Sequence, residues 1–519
     1  MADLLTTPDA SDSPEGSDAS FVSAAAPAAT DPTSRRLRWQ FALMAAASLG
    51  LATDLTPRIL SWHAYYPIVP LFGWPLVGWA AYFVAVCTFE AALRPDDSDD
   101  TADSAESSGL ANERAEGSGV LKRAVGWIGS VILLGSLAMP FVTAASGVLI
   151  SLAIALFANS PALRTAGSMP RRIRAVAGAT VLLLYATFDH LLLQPWVWQF
   201  ALLTLFLMFD DARSLRWAMR LTVSIYLFSA LSKFDPAFFD GLGQVLGWGL
   251  LKPLGLDGDD VPLRSLAMLM PAIEAAAGLL LLFRPTRTLG VIVATLMHVG
   301  LLLALGPWGL DHYSGVLLWN VAFIPLVGVQ FFRNDERLLE WPASFGLGGV
   351  VAAALLLLPG LEPFGLWDHW PGWSVYSTRS SRVTLEIVPA KPDPEIEPNH
   401  PPRLDGFPFL GEPAPLADYV PVKLEAWCFA VRRQPPYPQE RYKVAIAAAF
   451  LSECGTLDAF RLTIRRPSRN RFAAEPIETQ TITTEAELNA LLRSYWLNTQ
   501  PLRPVGLRHV RPPYEPFAI

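Results

Sequence analysis

Charge is scarce in this chain. Only 17% of its 519 residues are charged, against about a quarter in an ordinary soluble domain. The shortage falls almost wholly on residues 37–361, where apolar runs recur, and it excludes a water-exposed globular fold for that stretch. Basic charge is not in excess either. The formal net charge is −7, so nothing points to nucleic acid as a partner. There are three cysteines. Cys87 lies in an apolar run and reads as a small core residue. Cys428 and Cys454 both fall near the C-terminal end, where one disulfide is open to them if that region is extracytoplasmic. No cysteine–histidine cluster has metal spacing, so no metal site is expected. Residues 1–34 lack the basic start and apolar core of a secretory signal. Rich in Ala, Ser, Asp, Pro and Thr, they read as a disordered cytoplasmic tail, 1–36, with an unrecognised targeting peptide as the alternative.

What the chain does have is a series of apolar runs. Spans are expected near 39–55, 68–93, 124–140, 141–158, 175–194, 196–210, 217–232, 265–283, 288–306, 313–332 and 343–361. Several fall short of the roughly 20 residues a straight span needs. The stretch 124–158 is barely long enough for two, with Pro140 at the break. The expected fold is therefore an all-α polytopic membrane helix bundle of about 9–11 spans, at 37–361, followed by a small C-terminal α+β extramembrane domain. The acidic, small-residue loop 95–118 reads as a flexible linker.

The distribution of basic residues sets an orientation. Arg35, Arg36 and Arg38 precede the first run, which puts the N-terminus in the cytoplasm. With eleven spans the alternate loops carry Lys122 and Arg123; Arg171, Arg172 and Arg174; Arg213, Arg216 and Arg220; Arg284 and Arg287; Arg333 and Arg337. All of these land on the cytoplasmic side, and Arg58 and Lys252 are minor exceptions. Residues 362–519 then lie on the far side. There Pro-rich stretches alternate with runs that read as strands, at 382–388, 421–431, 442–451 and 459–465. Thr484 followed by Glu487 is a capping-box pattern that opens a helix through Trp496. No nucleophile elbow, metal-binding histidine pair or phosphate loop occurs in this region.

Ionisable groups inside apolar runs are costly and so mark candidate sites. Lys233 ends the run 217–232 and is followed by Asp235, Pro236, two phenylalanines and Asp240. Desolvation favours the neutral form of an amine at a membrane boundary, and a neutral amine can act as a general base. The alternative is that Lys233 snorkels to the interface or pairs with Asp235. Glu274 and His298 sit in consecutive runs joined by the turn Arg284-Pro285-Thr286-Arg287, about ten and eleven residues from it, hence at similar depth. A carboxylate there can orient an imidazole for proton transfer or hold a polar headgroup; a purely structural interhelical hydrogen bond is the alternative. Asp189 and His190 lie near the outer end of 175–194, before Gln194, Trp196, Trp198 and Gln199, where tryptophan anchoring at the interface competes with a site role. Asp311, His312, Trp319 and Asn320 gather around the next outer loop. Lys233, Glu274 and His298 are the catalytic candidates, and Tyr226, Asp235, Trp196 and Gln194 the ligand-binding ones.

These residues also carry a resemblance. The stretch 226–241, YLFSALSKFDPAFFDG, followed by IEAAAGLLLLFRPTRTLGVIVATLMHVGLLLALGPWG, resembles the membrane part of vitamin K-dependent γ-carboxylase and the related bacterial horizontally transferred transmembrane (HTTM) proteins. DoxX-like and MauE-like bacterial membrane proteins share a Gln-Pro-Trp segment like 194–196 and a Gly-Pro-x-Gly, then Trp-Asn, pattern like 306–320. The resemblance covers about 175–335. It implies a quinone or other isoprenoid lipid as ligand and a base at Lys233. The family's second catalytic element, a histidine after an asparagine, has no counterpart here: the corresponding place holds Gln194-Pro195. Carboxylation is therefore not expected.

Two functions of different class follow. One is an HTTM-type protein of a bacterial inner membrane that binds a lipid or quinone-like molecule near the outer leaflet, with redox or proton-transfer chemistry at Lys233. The other is a non-enzymatic DoxX- or MauE-like accessory protein that contacts membrane lipids and presents 362–519 to an extracytoplasmic protein partner. A transporter would call for an inverted repeat, and none stands out.

Overall fold

Where the apolar runs carry start and stop signals, helices form on them. The computed structural model describes residues 32–40, 43–44, 67, 69, 175–176, 179, 189–256, 261–312, 314–341, 346–389, 404, 407–413, 418–432, 434–454, 457–467 and 477–501. The expected spans at 68–93, 124–140 and 141–158, most of those at 39–55 and 175–194, the loop 95–118 and Cys87 lie outside these residues.

Helix α1 (Pro195–Phe206) starts on a proline, whose missing N–H costs nothing at a first turn. Helix α2 (Asp211–Lys233) is capped by Asp210, whose carboxylate accepts from the Arg213 N–H at 2.9 Å. It stops just before Asp235-Pro236, because a proline disfavours helical backbone in the residue ahead of it. A π turn (Phe238–Leu242) leads into the short helix α3 (Gly243–Leu251). Helices α4 (Leu263–Leu282) and α5 (Arg287–Leu305) form an antiparallel pair around the single 3-10 turn Arg284–Thr286. Thr286 closes that turn by donating its hydroxyl to the Leu280 carbonyl at 2.8 Å. Helix α6 (Ser314–Phe331) and helix α7 (Leu347–Leu357), extended by a 3-10 segment to Phe364, complete the helical part.

Helix α4 packs along both α2 and α5, and α5 along α6. Gly278 permits the first contact: a Cβ there would lie 3.0 Å from Leu227 Cδ2 and 3.1 Å from Tyr226 Cβ. Among the described residues, three helices are long and apolar enough to cross a membrane: Leu263–Leu282, Arg284–Leu305 and Leu347–Phe364. Their outward faces carry exposed apolar side chains, Met268, Leu269, Leu289, Ile292 and Leu296 among them.

Several of the basic residues expected on one side of the bundle are held by the segment 329–340, while Lys122, Arg123, Arg171, Arg172 and Arg174 lie outside the described residues. Arg36 donates to the carbonyls of Val329 and Phe332. Arg216 pairs with Glu336, Arg220 donates to Leu338 and Glu340 carbonyls, Arg284 pairs with Asp335, and Arg287 donates to the Asn334 carbonyl. Residues 32–40 are helical, so 32–36, the last five residues of the expected disordered tail, are helix.

Beyond Phe364 the chain builds a four-stranded antiparallel sheet in the order β2-β1-β3-β4. Its strands are β1 (Arg382–Pro389), β2 (Val420–Val422), β3 (Leu457–Pro467) and β4 (Ile477–Ile482). Leu385 faces Val422 on one side and Leu462 on the other, and Leu462 faces Ile482. That buried row packs with helices α8 (Leu424–Arg432), α9 (Glu440–Glu453) and α10 (Glu485–Ser494) around Trp427, Tyr442 and Phe450. Val69 and Leu191, from the helical part, belong to the same core.

Two of the expected strands are helices. The run 421–431 is strand only at its first residues and then helical: Val422, Leu424, Ala426 and Cys428 alternate as in a strand, but the buried set Leu424, Trp427 and Cys428 has the i, i+3, i+4 spacing of a helix. The run 442–451 is the core of α9; alanine at 445, 447, 448 and 449 favours helix, and burial on nearly every side removes the periodicity. Strand β4 was not anticipated, being short and polar. The capping box is realised: Glu487 N–H donates to Thr484 Oγ1 and Thr484 N–H to Glu487 Oε2, both at 3.3 Å. Cys428 and Cys454 are separate buried thiols and not a disulfide; each reaches a backbone carbonyl, Gln434 and Phe450 respectively.

A candidate proton-transfer site between four helices

Tyr226, Ser229 and Lys233 are spaced i, i+3, i+7 on α2, so they form one stripe on one face of that helix. The stripe faces α4. Lys233 Nζ donates to Glu274 Oε2 at 2.8 Å, to Ser229 Oγ at 2.6 Å and to the Ser229 carbonyl at 3.2 Å. All three ammonium hydrogens are thereby held. The Lys233 side chain is 9% exposed and that of Glu274 15%, so the ion pair is largely withdrawn from solvent.

One turn or two up the same stripe, Tyr226 Oη and His298 Nε2 are 2.8 Å apart. His298 Nδ1 lies 2.7 Å from Asn320 Oδ1 on α6. The Asn320 amide nitrogen is committed to the Val316 carbonyl at 2.8 Å, which turns its oxygen toward the ring. An amide oxygen only accepts, so Nδ1 carries the hydrogen. Nε2 then holds the lone pair, and Tyr226 donates its phenolic proton to it. The imidazole is stacked on Phe323 with ring centroids 4.9 Å apart. Tyr226 and Lys233 share one stripe of α2, against which α4 packs with α5 at its side, so the ion pair and the Tyr–His–Asn chain lie between the same helices.

Helix α2 thus supplies Tyr226, Ser229 and Lys233, α4 Glu274, α5 His298 and α6 Asn320. The structure brings Lys233 and Glu274 into direct contact and joins His298 to the same α2 stripe through Tyr226, so the partners differ from those expected. Glu274 pairs with Lys233 and not directly with His298; Asp235 pairs with Arg379 at 3.1 Å and not with Lys233. Asp235 also accepts the Ala237 N–H at 2.8 Å, tying the turn after α2 to the segment that enters the sheet domain.

The other candidates lie elsewhere. Gln194 donates its amide to Gln434 Oε1 at 3.0 Å and to the Leu191 carbonyl, at the junction with the sheet domain. Trp196 is buried on the first turn of α1, and its indole N–H has no hydrogen-bond partner among the described residues. Trp319 borders the site through its contact with Phe323 and donates to Gln199 Oε1 at 2.9 Å. His312 meets the rings of Tyr376 and Phe429. Asp189 and His190 join a second buried cluster. Asp189 pairs with Arg432, while Arg441 reaches both Asp368, at 2.9 Å for one bond, and His190 Nε2, at 3.2 Å. His190 Nδ1 donates to the Val69 carbonyl at 2.7 Å, and Tyr437 donates to Asp368 at 2.5 Å.

Ser229 and Asn320 complete the site without having been singled out for it. Ser229 could have been found from its place on the Tyr226–Lys233 stripe. Asn320 could have been found as a polar residue inside a span rather than as part of the outer loop. Among the described residues no group of His, Cys, Asp or Glu could hold a metal ion. No family model matches the chain, and no curated protein and no solved structure matches it either.

Proposed function

We propose that this chain is a polytopic membrane protein of the HTTM or γ-carboxylase-like kind. It takes a lipid or quinone-like molecule between α2, α4, α5 and α6, and the centre built on Lys233 and Glu274 supports proton-transfer or redox chemistry on it. In this reading the arginine-rich end faces the cytoplasm, residues 362–519 lie outside, and the membrane is a bacterial inner membrane. The observation that carries the proposal is the convergence of an amine, a carboxylate, a phenol and an imidazole from three helices, with an amide from a fourth, in a water-poor setting. Hydrocarbon tolerates such groups when they serve one another or a guest.

The test is mass spectrometry of the lipids that the full chain retains after gentle detergent extraction. An isoprenoid should co-purify with the wild type and be lost from Lys233→Met/Glu274→Gln, a double change that leaves no lone charge in the site. The same lipids retained by both proteins would end the proposal.

A second reading is supported by Trp496, which is 87% exposed at the end of the sheet domain. Tryptophan is enriched at interface hot spots. An accessory protein would use it to hold an extracytoplasmic partner. Trp496→Ala should then release the partner captured by the wild type in a pull-down from native membranes, while lipid retention stays unchanged; an unaffected partner set argues against this reading.

A further inference from the structure

The hydrogen-bond inventory says which group in the site can take up a proton, and it is not the lysine. Each hydrogen of Lys233 is engaged, one of them in the ion pair with Glu274. To act as a base Lys233 would have to be neutral beforehand, which removes the counter-charge of Glu274 in a site with little water. The Tyr226–His298–Asn320 chain has the opposite character. Tyr226 gives its only proton to His298 Nε2, and its oxygen keeps lone pairs with no donor on them among the described residues. His298 is fixed as the Nδ1–H tautomer by Asn320, so its basic nitrogen points at the phenol.

We infer that Tyr226 is the proton-accepting contact of this site, with His298 and Asn320 as the residues that position and drive it, and that Lys233 is a fixed cation. This rests on the reading that a guest enters between the four helices. The step balances as a double transfer. An acidic O–H of the guest breaks heterolytically and its proton goes to Tyr226 Oη. The phenolic proton of Tyr226 passes to His298 Nε2, the electron pair stays on the guest oxygen, and the product is a guest anion beside an imidazolium. Asn320 Oδ1 accepts from the imidazolium, the guest anion formed beside it is its counter-charge, and the Lys233–Glu274 pair stays as it was. Tyr226 is only 2% exposed, so the O–H that reaches it belongs to a group inserted among the helices.

The experiment uses the full chain in nanodiscs and two readouts. In 15N-histidine spectra, with the His298 signals identified by their loss in His298→Gln, the ring should show a protonated Nδ1 and a bare Nε2. Tyr226→Phe should shift the Nε2 resonance and leave the tautomer in place; Asn320→Leu should mix the tautomers. The second readout is the absorbance of an octyl-substituted 4-nitrophenol, which separates bound phenol from bound phenolate. Wild type and Lys233→Arg, whose guanidinium cannot lose a proton, should both bind it as phenolate. Tyr226→Phe and His298→Gln should bind it as phenol, with at least a tenfold loss of the ionised fraction. Ionisation that survives Tyr226→Phe but fails in Lys233→Arg would overturn the assignment and return the role to the lysine. So would a wild-type His298 protonated on both nitrogens. Failure of the probe to bind any variant counts against the guest-binding reading, and the imidazole spectrum then decides the relay by itself.

Discussion

Two of the buried polar clusters among the described residues are of similar size, and they are built on different principles. In the cluster at the junction with the sheet domain, arginines face aspartates: Arg432 with Asp189, Arg441 with Asp368. In the cluster between the helices a lysine faces a glutamate, and a tyrosine, a histidine and an asparagine complete the set. Guanidinium groups do not give up protons, so the cations of the junction network stay charged and act to hold parts together. Each cluster contains a histidine in the Nδ1–H form. The Nε2 of His190 accepts from the Arg441 guanidinium, and that of His298 from the Tyr226 phenol. The rings are alike, and the partner decides whether a proton can move.

The largest effect should come from breaking the junction. Asp189 and Arg432 are 0% and 1% exposed at their side chains. Arg432→Met leaves Asp189 buried without a counter-charge, at a cost of about 3–5 kcal/mol. Thermal unfolding followed by tryptophan fluorescence should show the sheet domain lost well below the wild-type transition. Asp189→Asn in addition should restore part of it. An unchanged transition in Arg432→Met would mean that the junction contributes nothing to stability.

The same operation in the helical site should cost less. Lys233→Met strands Glu274, but the glutamate keeps 15% of its side-chain exposure and with it part of its hydration. A loss of about 1–3 kcal/mol is expected, recovered largely by adding Glu274→Gln. A cost equal to that of the junction variant would erase the contrast between the clusters.

Much of this contrast could be read from the sequence, and the rest could not, for physical reasons. Charge in an apolar run is conspicuous because it is expensive, so Lys233, Glu274 and His298 stood out. The similar depth of Glu274 and His298 followed from the short turn at 284–287. Which of them pair depends on helix rotation, which apolar runs do not encode, and so the carboxylate was assigned to the imidazole. Asp235 finds its partner Arg379 at a separation of 144 residues, outside any span, where no periodicity points to it. The junction was harder still. Arg432 and Arg441 sit on α8 and α9, two helices whose runs looked like strands, and a misread element hides which face its charges occupy.

Acid should separate the clusters further. Burial opposes ionisation of Asp368, but the hydrogen bonds from Arg441 and Tyr437 and the charge of Arg441 outweigh it and hold the carboxyl below its ordinary value. A carboxyl depressed in this way stabilises the folded state above its unfolded value and loses that contribution as pH falls through the folded one. The domain should therefore weaken below about pH 4, and Asp368→Asn should flatten that dependence while lowering stability at neutral pH. Glu440, opposed by burial but held down by Arg466, Tyr495 and Ser381, adds to the loss in the same direction. A domain whose unfolding temperature is equal at pH 3 and pH 7 would contradict this account.

The smallest effect is the most discriminating. Asparagine can place an amide N–H where histidine has Nδ1–H, so His190→Asn can still donate to the Val69 carbonyl. Arg441 loses one acceptor at 3.2 Å but keeps both oxygens of Asp368. The cost should stay near 1 kcal/mol, and any response of the site to a bound phenol should be untouched. The same change at His298 keeps the donor to Asn320 and removes the lone pair that receives the Tyr226 proton. Folding should survive comparably, while ionisation of a bound phenol disappears. The two histidines are then told apart by a substitution that treats their rings identically, and the difference left over belongs to the phenol on one side and the guanidinium on the other. If both variants still ionise the probe, the proton has another destination, and the distinction between a static network and a proton-moving one falls with it.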